Sequence, residues 1–181
     1  MPSVDVTTWS LEALDRAQLR PAPAPQLDLR LTQAELPSPE FARFLYTAVG
    51  GGWHWIDRLA WTYSEWQERL ARPGLETWVA YVCGTPGGYF ELDPQDDGSV
   101  EIAYFGLLPS FIGKGLGGWL LTQAIERAWE IGARRVWVHT CSLDGPGALA
   151  NYQARGMTVF KEETARQELE DEPPGPWPGW R

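Results

Sequence analysis

The residues best placed to do chemistry in this chain are a run of glycines. In Ile112-Gly113-Lys114-Gly115-Leu116-Gly117-Gly118 the glycines are followed by Leu120, Leu121, Ala124, Ile125, Ala128 and Ile131, apolar residues at three- and four-residue steps, so they open a helix. Successive backbone N–H groups there converge on an anion, the positive end of the helix dipole adds to the attraction, and the missing side chains let a phosphate come close. A phosphate-bearing ligand is the chemistry implied; a glycine turn that lets a helix pack tightly is the plain alternative. Gly113-x-Gly115-x-x-Gly118 also matches the dinucleotide fingerprint. A Rossmann unit, however, needs its glycines directly after a buried strand, and an acidic residue at the end of the next one. Here Pro109-Ser-Phe-Ile112 intervenes and the next strand ends His139-Thr140-Cys141. A Walker lysine fails too, because Gly115-Leu116 follows Lys114 where Ser or Thr is required.

These glycines need a scaffold. Residues 1–25 read as an N-terminal extension, with a short helix over 10–19 and then Pro21-Ala-Pro-Ala-Pro25 as a stiff spacer. Leu27, Leu29 and Leu31 alternate with polar residues, the period of a half-buried strand. Ser38 and Pro39 open a helix with Phe41, Phe44, Leu45 and Ala48 on one face, stopped by Gly50-Gly51-Gly52. A second helix follows over 64–70. Strand-like runs at 77–83, 88–92 and 100–108, separated by Gly-, Pro- and Asp-rich turns, form an antiparallel meander. A helix over 117–131, a strand over 135–141, a short helix over 146–155 and a strand over 157–161 complete the pattern. The fold class expected is α/β, with a mixed, mostly antiparallel central sheet of about six to seven strands flanked by helices. It occupies one domain, 26–164, followed by a mobile or surface-draped acidic and Pro-rich tail, 165–181.

Composition narrows the function. The chain has 181 residues, 44% of them hydrophobic, a size at which one core buries enough apolar surface. Fifteen Lys+Arg against 24 Asp+Glu give a net charge of -9, the wrong sign for binding a phosphate backbone, so no nucleic-acid partner is expected. No run approaches the roughly 20 apolar residues of a membrane span, and Met1-Pro-Ser-Val-Asp-Val-Thr-Thr-Trp-Ser10 is no signal peptide. The expectation is a cytoplasmic protein without a membrane partner. Cys83 and Cys141 form no CxxC, and with two histidines no metal site is indicated. The 11 tryptophans are a surplus. Four of them, Trp53, Trp55, Trp61 and Trp66, fall around the link between the first two helices, where they either pack or offer faces to a cation beside Asp57.

Three segments, Glu101-Ile-Ala-Tyr-Phe-Gly-Leu-Leu-Pro109, Gly113-Lys-Gly-Leu-Gly117 with Leu120-Leu121, and Ala148-Leu-Ala-Asn-Tyr152-Gln-Ala-Arg-Gly156-Met157, resemble the acetyl-CoA-binding core of the GNAT family of N-acetyltransferases. There are two departures. Ile112 stands where Gln or Arg is usual, which removes a side chain but keeps the backbone donors, and Gly145 stands where many members place a cofactor-contacting Asn. The resemblance implies that the backbone of Gly106, Leu107 and Leu108 pairs with the pantetheine arm. It assigns Ile112, Gly113, Lys114, Gly115, Leu116, Gly117 and Gly118 to the pyrophosphate, Tyr152 to the role of general acid, and Trp53, Trp55 and Asp57 to the acceptor wall.

Acetyl transfer needs a neutral amine, and an alkyl ammonium has a pKa near 10.4. Glu101, acting through water, is the candidate base if its face lines the cleft; otherwise it is a solvated strand carboxylate. Alternation puts Glu101, Ala103 and Phe105 on one face and Ile102, Tyr104 and Gly106 on the other. His139 is a second candidate base or a structural histidine. Cys141 has no His or acid spacing that would make it a nucleophile, so direct attack in a ternary complex is expected. The activity implied is transfer from acetyl-CoA, as co-substrate and without metal, to a primary amine. The partners expected are a small-molecule or peptide acceptor and a second copy in a homodimer. A non-catalytic acyl-CoA-binding module and a nucleotide-dependent oxidoreductase are the competing readings.

Overall fold

Val4, Val6, Thr7 and Thr8 are β-branched, stiff at χ1 and suited to a pleated strand. In the computed structural model, which describes residues 3–169, 173 and 175, they belong to β1 (Ser3–Ala13). The chain continues through β2 (Leu29–Gln33), α1 (Pro39–Gly50), α2 (Tyr63–Leu70), β3 (Glu76–Val82), β4 (Thr85–Pro94), β5 (Ser99–Leu107), α3 (Leu116–Glu130), β6 (Arg135–Cys141), α4 (Ala148–Ala154) and β7 (Thr158–Glu168). The sheet has seven strands in the order β2-β3-β4-β5-β6-β1-β7. Each neighbouring pair is antiparallel except β5 and β6, which are parallel. The α/β class and the mixed, mostly antiparallel sheet flanked by helices are those expected.

The N-terminal segment differs from its expected form. Residues 10–13 continue β1 instead of starting a helix, and only Arg16–Gln18 form a 3-10 turn, capped by Asp15. Because β1 lies between β6 and β7 and bonds to both, two long-range ladders override a weak local helical spacing. Residues 3–13 are therefore part of the sheet and not an extension ahead of it. The proline-rich stretch is the linker that crosses α3, held where the Ala22 N–H donates to Thr122 Oγ1 at 2.9 Å. At the other end β7 runs past residue 164 to Glu168, and most of the expected tail lies outside the described residues.

Two apolar layers cover the sheet. Leu120, Leu121, Ala124, Ile125 and Ala128 of α3 pack on Leu11, Phe90, Leu92, Ile102, Val136 and Val138. On the opposite face Leu45 and Val49 of α1 pack on Val79 and Tyr89. Ser38 caps α1 by accepting from the Phe41 N–H, and Thr62 and Glu65 form a capping box on α2. No helix among the described residues is long and apolar enough to cross a membrane.

Beside the second layer lies a buried ion network. Glu91 of β4 accepts from Arg58 at 3.3 and 3.1 Å and from Arg69 at 2.6 Å, while Asp93 accepts from Arg69 at 2.6 Å and Arg72 at 2.8 Å. Arg58 and Glu91 are only 7% and 3% exposed. The Arg58 guanidinium also lies 4.7 Å from the Trp61 ring, 5.7 Å from Trp66 and 4.2 Å from Tyr104. Trp61 and Trp66 thus wrap a cation that the protein itself supplies, and the network clamps the link between α1 and α2 onto the sheet. Removing one partner strands the other charge in the interior. Glu91→Ala is expected to lower the unfolding free energy by about 3–5 kcal/mol in urea titration. A loss below about 1 kcal/mol, the range of exposed pairs, would show that the network does not hold the fold.

Candidate active site

β5 and β6 pair only at Ser99 with Arg135, Val100 with Val136 and Glu101 with Trp137. Past these residues the strands part around a cavity of about 580 Å³, with residues 102–107 on one wall and Val138, His139 and Cys141 on the other. Strand edges that face an opening instead of a neighbour are templates for an extended ligand that can use the same backbone bonds. Gly106 and Leu107 line the opening. Leu108 does not, and its N–H donates to Gly87 O at 3.0 Å.

The strand also carries a bulge. On β4, Glu91 pairs with Tyr104 and Leu92 with Ile102, so Ala103 is an extra residue on β5. Strict alternation therefore fails. Ile102 and Phe105 both pack with the α3 layer, while Tyr104 packs with the α1 layer. Glu101, opposite Asp93, shares the face of Tyr104 and not that of Phe105. This orientation brings it to His139, with Oε1 3.3 Å from Nδ1.

The glycine loop ends this cleft. Gly113 and Gly115 take φ of 79° and 77°, a left-handed conformation that only glycine adopts freely. Gly115 is the N-cap of α3 and no side chain caps that end, so the first helical N–H groups have no side-chain acceptor. Ile112, Gly113, Gly117 and Gly118 line the cavity; Lys114, Gly115 and Leu116 do not. The Lys114 ammonium lies 5.4 Å over the Phe111 ring. Asn151 of α4 ties the two helices together by donating to Gly117 O at 3.3 Å.

Tyr152, one residue on, lines the cavity at 5% exposure with its ring against the edge of Phe105. Burial pushes its phenol far above the ordinary range, so it stays protonated. The Glu101 carboxylate beside Nδ1 raises His139 above its usual value against the opposing effect of burial, and the charges of Asp144 and Asp57 add to the rise. His139 is half-exposed and lines the cavity, while Glu101 stands behind it. Burial raises the Cys141 thiol, which disfavours the reactive thiolate.

The remaining wall comes from the α1–α2 link. Trp53, Trp55 and Asp57 all line the cavity. The Trp55 indole N–H donates to Asp144 Oδ1 at 3.3 Å, and Asp144 Oδ2 accepts from Thr140 Oγ1 at 2.6 Å and the Cys141 N–H at 3.0 Å. Asp144 thus joins this link to the turn after β6 and closes one side of the cleft. Sequence reasoning passed over it; its signal was an Asp three and four residues after Cys141 and Thr140, a spacing at which a side chain bonds local backbone. Arg58 was passed over as well, though Glu91 and Asp93 in an apolar strand announce a buried counter-ion. His54, between the two tryptophans, is a non-glycine residue at a φ of 59°, a sparsely populated conformation of the kind found at functional sites. No group of three or more His, Cys, Asp or Glu among the described residues could hold a metal.

A family model described as "Acetyltransferase (GNAT) family" matches residues 34–157. Among curated proteins none matches the chain. A solved GCN5-related N-acetyltransferase from Sphaerobacter thermophilus superposes with a TM-score of 0.65 at 17% identity, covering 89% of this chain and 50% of that one. One from Kribbella flavida gives 0.64 at 18%, covering 91% and 58%. An aminoglycoside acetyltransferase from an uncultured soil metagenomic sample gives 0.58 at 16%, covering 70% and 86%. The chain spans about half the length of the first two, and at these identities the likeness is one of fold.

The Glu101 contact bears on the titration of His139. Its imidazole, followed by NMR across a pH titration, is expected to titrate above the unperturbed 6.5 and to fall back toward it in Glu101→Gln. An unchanged midpoint in that variant would separate the two residues.

Proposed function

The chain belongs to the acetyltransferase (GNAT) family, and from that premise we propose that it transfers an acetyl group from acetyl-CoA to a primary amine by direct attack in a ternary complex. The observation that carries this reading is the parting of β5 from β6 with a protonated phenol, Tyr152, in the opening. The donor fits the residues present: an extended pantetheine arm suits the open edge at Gly106 and Leu107, and a pyrophosphate suits the uncapped start of α3 at Gly113, Gly117 and Gly118. Two departures from the family pattern, Ile112 and Gly145, remove side chains but none of these backbone donors.

Acetyl-CoA supplies an activated acyl group as a thioester. The protein's own part is to manage protons and position. His139 takes the proton of the incoming amine, while Glu101, with Oε1 3.3 Å from Nδ1, supports the charge the ring gains. This assigns Glu101 a role through the imidazole instead of through water. At the other end Tyr152 gives its Oη proton to the departing sulfur, a task that suits a group held protonated at neutral pH. Because a base works only when deprotonated and the Glu101 contact raises His139, the rate should climb with pH through a midpoint above 6.5.

Tyr152→Phe is expected to lower kcat about 100-fold, within the range of a general acid, with the dissociation constant for acetyl-CoA changed less than about twofold. Thiol release and calorimetric titration measure the two. Unchanged kcat would remove the tyrosine from the reaction.

A further inference from the structure

The charges around the cleft go beyond what the transfer itself requires. Among the described residues that line it there is no Lys or Arg, whereas Asp57 and Asp144 both do, and Glu101 stands just behind His139. The nearest guanidinium of this wall, Arg58, is buried and bonded to Glu91. Lys114 lies outside the lining, over Phe111. Asp144 is partly satisfied by Trp55, Thr140 and the Cys141 backbone, but Asp57 is exposed and among the described residues has no ion-pair partner. The fields of both aspartates converge on His139 and on Cys141.

An acceptor bearing a carboxylate would place that group beside Asp57 and Asp144, with only the imidazoles of His54 and His139 in the lining to offset them. A second ammonium would meet the Asp57 carboxylate on a wall that Trp53 and Trp55 also line. The same molecule already shows this preference where Trp61, Trp66 and Tyr104 surround Arg58. A cavity of about 580 Å³ has room for a small diamine beside the end of the donor.

We propose that the acceptor is a small amine with a second cationic group and no carboxylate, the second cation being held by Asp57. This rests on the acetyl-transfer reading of the same cleft. In the reaction one N–C bond forms as the C–S bond breaks; His139 takes one proton from the attacking nitrogen, and Tyr152 returns one to sulfur.

Three acceptors of one chain length test it with acetyl-CoA and free-thiol detection: cadaverine, pentylamine, which lacks the second cation, and lysine, which adds a carboxylate. The intact protein is expected to favour cadaverine over each of the others by about tenfold or more in kcat/KM. Asp57→Asn should shrink the cadaverine-to-pentylamine ratio several-fold, chiefly through the KM for cadaverine. Lysine used as well as cadaverine, or a ratio that Asp57→Asn leaves in place, would overturn the assignment. If acetyl-CoA raises the melting temperature while none of the three amines releases thiol, the acceptor class fails and donor binding stands. If acetyl-CoA gives no stabilisation either, the transferase reading falls with it.

Discussion

One extra residue in a strand governs the functional half of this molecule. Ala103 bulges out of β5 between two residues that pair normally with β4, and a bulge bends its strand and sharpens the local twist. On the side toward β6, pairing stops at Glu101. The opening that follows would be an unsatisfied gap in an ordinary sheet. Here it is bordered by α3 with its uncapped N-terminus, by α4 with Tyr152, and by the link between α1 and α2. The bulge also resets which way side chains point: Glu101 meets His139, Tyr104 turns to the α1 layer, and Phe105 turns to Tyr152. A regular β5 would place Glu101 and Phe105 on one face and separate these pairs.

Electrostatics is handled in two compartments. Arg58 and Arg69, buried with Glu91 and Asp93 and joined at the surface by Arg72, secure the link between α1 and α2 from behind, while the cleft in front is left to the carboxylates of Asp57 and Asp144 and the imidazoles of His54 and His139. With a net charge of -9 over the whole chain, long-range attraction cannot recruit an anionic donor. On the proposed reading, binding of the donor falls to short-range backbone groups of the kind the glycine loop supplies. The same overall charge favours a cationic acceptor. The surplus of tryptophan divides along these lines, with Trp61 and Trp66 spent on Arg58 and Trp53 and Trp55 reaching the cavity.

Much of this was legible from spacing. The helical step of Leu120, Leu121, Ala124, Ile125 and Ala128 and the cap at Ser38 mark their elements because periodicity and caps are local facts. Around the cavity, the glycine loop and His139 could be singled out by their chemistry, and Tyr152 by its place in a segment that resembles a family motif. What stayed hidden depends on distant partners. Nothing within residues 3–13 says that they slot between β6 and β7, since that position is decided by ladders to residues more than 120 positions away. A bulge is equally silent: the run from Glu101 to Phe105 looks regular, and only the register against β4 shows that one residue has no partner. Asp144 was hidden for the same reason, because its indole partner comes from another part of the chain.

On the proposed reading acetyl-CoA binds by backbone groups in the parted strands and at the glycine loop. Amide hydrogen exchange with and without acetyl-CoA addresses it residue by residue. Exchange is expected to slow at residues 103–107 and 113–118, with β2 and β3 unaffected. Protection that appears elsewhere and spares both of these segments would contradict it.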